Sequence, residues 1–86
     1  MPEISRFLGV VIRMHFDEHG PPHFHAAYGD AEAAIRIESV GLLAGDLPPR
    51  ALALVIEWAR LHQGELLESW LRLRAGQGPL RIAPLE

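Results

Sequence analysis

The sequence predicts an α+β domain. A three-stranded antiparallel meander covers about residues 7–38, one long helix (about 49–75) lies across its apolar face, and a tail, 77–86, folds back. Three observations predict it. Alternating, branched and aromatic residues fill the first half. A glycine-led turn sits at Gly29-Asp30, and apolar residues at helical spacing follow Pro48 and Pro49.

The first strand is read from "FLGVVIRMHF", residues 7–16. Leu8, Val10, Ile12, Met14 and Phe16 share one face, and Phe7, Gly9, Val11, Arg13 and His15 the other. "DEHGPP" then breaks the chain. His15, His19 and His23 stand at four-residue spacing, but Gly20, Pro21 and Pro22 forbid the helix that would align them.

"HFHAAYGDAEAAIRIE" supplies the second and third strands. A type II′ turn at Gly29-Asp30 places Tyr28 opposite Ala31, Ala26 opposite Ala33 and Phe24 opposite Ile35. That face is wholly apolar, and a one-residue slip would mix the two faces. The opposite face carries His23, His25, Ala27, Glu32, Ala34 and Arg36, and the meander adds Arg13 and His15 to it. An antiparallel sheet commonly keeps one such wet face.

After the loop "VGLLAGDLPP", two prolines suit a helix start, where a missing N–H costs little. Leu52, Val55, Ile56, Ala59, Leu66, Trp70 and Leu73 form the stripe expected to face the sheet. Gly64 is a place for a bend, and Gly76 a C-terminal cap. Leu54, Trp58 and Leu61 form a second apolar patch on the other side. Leu80, Ile82 and Leu85 of the tail could cover it. Alternatively it is an interface for a partner or a second copy, with the tryptophan as anchor.

Composition narrows the chemistry. The 86 residues make one small domain, 1–86, with a modest core. Cysteine is absent, so there are neither disulfides nor thiolate-bound metals. All eight basic residues are arginine, so lysine Schiff-base chemistry is excluded. A formal charge of −3 does not favour nucleic-acid binding, although a local basic patch remains compatible with it. No apolar run is long enough to cross a membrane and no signal peptide is evident, so a soluble cytoplasmic protein is expected.

The histidines supply the candidate site. His23-Phe24-His25 sets two imidazoles on one side of a strand, a spacing that can hold zinc if His19, His15 or Glu32 completes the set. Without metal, two histidines flanked by Arg13 and Arg36 could cleave RNA by activating its 2′-hydroxyl and protonating the leaving oxygen. A purely structural role also fits, with His23 pinning the loop after Pro22. No serine lies in an activating motif, and no residue is assigned a catalytic role.

"PEISRFLGVVIRM", "PPHFHA" and "LPPRALALVIEWARLHQGELLESWLRLRAG" together resemble the bacterial family catalogued as domain of unknown function 4160, over Pro2 to Glu86. His19, Pro22, His23, Phe24 and His25 match its motif. The family reads "RMYF" where this chain has "RMHF", so His15 departs from the pattern. The resemblance implies no reaction. It implies a small free-standing protein, often encoded beside a second small protein of the family numbered 2442, in a toxin–antitoxin-like pair. The expected function is therefore an interaction module of a two-protein system, binding through the Trp58 side of the helix or the sheet edge. A histidine-centred metal or phosphodiester site is the alternative.

Overall fold

The first apolar run is a hairpin with its own turn, not one strand. In the computed structural model, which describes residues 2–16 and 19–86, β1 (Glu3–Phe7) pairs antiparallel with β2 (Val10–Arg13), Phe7 opposite Val10. Asp17 and Glu18, at the start of the chain-breaking stretch, lie outside the described residues. The loop is Leu8-Gly9, both at positive φ (48° and 85°), as a type I′ turn requires. A side chain on Gly9 would also meet the Tyr28 ring at 2.9 Å. Val10, Ile12 and Met14 are buried as expected, whereas Leu8 and Phe16 are exposed.

β3 (His23–Tyr28) and β4 (Ala31–Arg36) pair in the expected register, Phe24 with Ile35, Ala26 with Ala33 and Tyr28 with Ala31. Of the two turn residues only Gly29 takes positive φ, as type II′ demands. The stretch expected as a loop contains β5 (Leu42–Gly45), which pairs with β4 across an irregularity at Ala34/Ile35. The sheet is thus a five-stranded antiparallel meander in the order β1-β2-β3-β4-β5, not a three-stranded one. It begins at Glu3 and ends at Gly45, beyond the expected 7–38 at both ends.

The single long helix is two: α1 (Pro49–Leu61) and α2 (Gln63–Arg74). The break falls at His62 (φ −128°, ψ 25°), not at Gly64. Gln63 Nε2 donates to the carbonyls of Ile37 and Glu38, at 2.9 and 3.1 Å, tying the start of α2 to the end of β4. With the chain re-aimed there, α1 buries Ala51, Val55, Trp58 and Ala59, and α2 buries Leu66, Ser69, Trp70 and Leu73.

Trp58 therefore lies on the inward side of α1, contrary to the expected outward patch. It is fully buried, with Phe7 at 5.3 Å and Phe24 at 5.8 Å between ring centroids. Its Nε1–H donates to the Ala83 carbonyl at 2.8 Å. The tail is held at further points: Ile82 N–H to the Ile4 carbonyl, Leu80 N–H to Ser69 Oγ, and Arg72 Nε–H to the Gly78 carbonyl. Leu54 is half-buried, and of the expected patch Leu61 alone is exposed.

Two stability measurements follow. Trp58→Phe keeps most of the ring but deletes the bond to Ala83, so urea unfolding should show a loss of about 1 kcal/mol, with faster amide exchange at Ile82. Unchanged exchange there would mean the tail does not depend on the indole. Ser5 Oγ is buried with no partner among the described residues. Ser5→Ala should therefore be neutral or stabilising by up to about 1 kcal/mol, and a loss of about 2 kcal/mol would contradict an unsatisfied hydroxyl.

Candidate functional site

Ile4, Phe7, Val10, Ile12, Phe24 and Ile35 of the sheet share one buried cluster with Val55 and Trp58 of α1, Leu66 and Leu73 of α2 and Ile82 of the tail. The other face shows the strand register directly. One row across the sheet reads Glu3, Arg13, His25, Ala34 and Ala44, and the next Arg6, Val11, Ala27 and Glu32. His23 stands opposite Arg36. The sequence-predicted residues Arg13, His15, His23, His25, Glu32 and Arg36 are therefore neighbours on β2, β3 and β4 and their ends, although their burial differs.

Three imidazoles form a contiguous series. The His15 and His25 rings meet edge to face at 4.1 Å between centroids, and His25 and His23 at 5.2 Å. His23 is the inner member, 4% exposed, with the Trp70 indole 5.2 Å from its ring. Its Nδ1 lies 2.8 Å from the Pro21 carbonyl. A carbonyl can only accept, so Nδ1 carries the proton and the tautomer is set. His23 thus pins the Pro21-Pro22 turn, as the structural reading expected.

His15 and His25 are half-buried and form the accessible pair. Glu32 Oε2 stands 3.6 Å from His25 Nδ1, too long for a hydrogen bond. His25, Glu32, Ala34 and Ala44 line a shallow depression of about 250 Å³. Glu3 is the carboxylate opposite Arg13, but it is committed elsewhere. Arg6 donates two hydrogen bonds to it, at 3.1 and 2.8 Å, and so holds the Glu3 carboxyl below the usual carboxylate range. Arg81 and Arg13 add to that effect through their charge. Among the described residues neither Arg13 nor Arg36 has an ion pair of its own.

His19 is exposed in the loop, and among the described residues no group of three or more His, Asp or Glu side chains is arranged to hold a metal ion. The fifth histidine, His62, lies at the helix break, where its Nδ1 is 2.6 Å from Glu65 Oε1 and its ring 5.5 Å from Trp58.

The blocks that surround this site carry a family signature. The family model described as a domain of unknown function, DUF4160, matches residues 9–71. The chain belongs to this family. No curated protein and no solved structure matches it. The DUF4160 match spans β2, β3, β4 and β5, all of α1 and most of α2, and therefore the whole histidine series.

Sequence reading missed Trp70 and Arg74 as neighbours of this series. The Trp70 ring meets that of His23 at a tilt of 49°, and the Arg74 guanidinium lies 5.7 Å from the Trp70 ring centroid. Their placement depends on the break at His62, so helical periodicity alone carried no signal for it. No described helix is long and apolar enough to cross a membrane.

The difference between the histidines is measurable by urea unfolding. His23→Ala should cost about 2–3 kcal/mol through the lost Pro21 bond and Trp70 contact, whereas His25→Ala should cost under about 1 kcal/mol. Equal losses would contradict the division into an inner pin and an accessible pair.

Proposed function

We propose that this DUF4160 protein is an interaction module of a two-protein, toxin–antitoxin-like system, and that its partner adds a strand at the β5 edge. The observation that carries this reading is the state of the two sheet edges. At β1 the tail intervenes, with Ile82 N–H bonded to the Ile4 carbonyl. Among the described residues no further strand pairs with β5, and the sequence there, "LLAG", has no charge and no proline. Leu42 is 41% exposed on it. Proteins ordinarily protect such an edge with lysine, proline or a covering segment. An unprotected edge is the template that strand addition uses, with main-chain hydrogen bonds for affinity and neighbouring side chains for specificity.

The helix version of this idea has lost its anchor, since Trp58 is buried. Leu61, 67% exposed, still lines an open groove along α1 with Leu52 and Ile56, so the two surfaces need to be separated. The test is binding between this chain and a small protein of the family numbered 2442, the neighbour that the resemblance implies, followed by light scattering after gel filtration. Leu42→Lys should weaken the complex at least tenfold, because a lysine on an edge opposes pairing. Leu61→Lys should leave it intact. The reverse pattern would move the partner to α1 and end the strand-addition reading. A homodimer that Leu42→Lys dissolves would make a second copy the edge partner and overturn the two-protein reading.

A further inference from the structure

We infer that the cleft between the Pro21-Pro22 turn, the chain just after β4 and the start of α2 binds a free apolar α-amino acid. The inference is independent of the partner reading, since it rests on other residues. Pro22, Ile37, Gly64 and Leu67 line a pocket of about 400 Å³ there, together with Glu38 and Gln63. A second depression, of about 370 Å³, adjoins it, since Pro22 and Glu38 line both, and it adds Arg36 and Ser39. Small-molecule sites have this size and this make-up, an apolar lining with a few convergent polar groups.

The order of the groups selects the ligand. Arg36 lines the second depression, Glu38 lines both, and the aliphatic Ile37 and Leu67 line the first. An α-amino acid carries a carboxylate, an ammonium and a side chain on one carbon. Its carboxylate meets the Arg36 guanidinium, through paired N–H donors, and its ammonium meets Glu38. Its side chain then falls among Pro22, Ile37 and Leu67. Among the described residues neither Arg36 nor Glu38 forms an ion pair, with the other or elsewhere, so both charges are uncommitted. A ligand of a single charge would use only one of them.

The walls are held before any ligand arrives, which lowers the ordering cost of binding. Ile37 N–H donates to the Pro22 carbonyl at 3.0 Å, and Gln63 Nε2 donates to the carbonyls of Ile37 and Glu38. Arg36 N–H donates to the Gly41 carbonyl at 2.8 Å, closing the turn that carries Glu38 and Ser39. Within that turn Val40, buried and β-branched, is held at φ 53°, a conformation such residues rarely adopt. Gly64 keeps the pocket open. A Cβ built on it meets nothing within 4 Å, so alanine would fit and favour the helix, yet glycine stands there.

The experiment titrates the full chain, untagged, with L-leucine, read by calorimetry and by backbone amide shifts in NMR spectra. Thermal melting of each variant confirms that it is folded. The expected result is saturable binding, with the largest shifts at Glu38, Gly64 and Leu67. Arg36→Gln and Glu38→Gln should each weaken it at least about tenfold, the effect of losing one charged hydrogen-bond partner. Gly64→Leu, which fills the pocket, should abolish it. N-acetyl-leucine lacks the ammonium and leucinamide the carboxylate, so each should bind at least about tenfold more weakly than leucine. Leucinamide that binds as well as leucine would make the ligand a peptide N-terminus, and acetyl-leucine that does so a peptide C-terminus; either result overturns the proposal. An absence of shifts at millimolar leucine would overturn it equally, as would binding that persists in folded Gly64→Leu.

Discussion

The burial of the Trp58 indole is the constraint on which the other elements depend. Its ring lies between Phe7 of β1 and Phe24 of β3, and its N–H reaches the tail at Ala83. One side chain of α1 thereby touches the first hairpin, the centre of the sheet and the C-terminal segment. A buried indole needs both its apolar contacts and a partner for its N–H. Here the tail supplies that partner, so a segment without secondary structure becomes part of the core. In a chain of 86 residues, where little surface can be buried, such a shared contact carries an unusual share of the packing.

The turn at Pro21-Pro22 gives the histidine motif its asymmetry. Proline fixes the approach to β3 and withholds backbone donors, and His23 satisfies the Pro21 carbonyl with its ring. The neighbouring histidine of the motif then falls where the strand pairs with Arg13. One motif thus supplies a structural imidazole and an accessible one, with Phe24 between them buried in the core. Consecutive residues of a strand point to opposite faces, so the three roles do not compete.

Strand addition needs main-chain groups at an edge, and β5 supplies them. The row Arg13, His25, Ala34, Ala44 runs from the polar face of β2 and β3 to that edge through small residues. A strand docked on β5 would lie beside the depression lined by His25 and Ala44. That proximity gives a partner a physical route to cover the face.

Local chemistry in the sequence was sufficient for the β3–β4 hairpin, its register and the shared face of the histidines and arginines. Gly29 sets the turn, and alternation then determines every pairing along it. The broad class, a sheet followed by helix, was legible for the same reason. Other features needed the tertiary structure. Residues 7–16 read as one strand because Leu8 continues an apolar run, and only Gly9 marked the turn that divides it. β5 is a short exposed edge whose identity comes from pairing with β4 rather than from its own pattern. The face of α1 that turns inward, and the break that brings Trp70 onto His23, were decided by what the sheet and the tail offer to pack against. Periodicity shows that a helix has apolar sides; which of them is buried is a property of its neighbours.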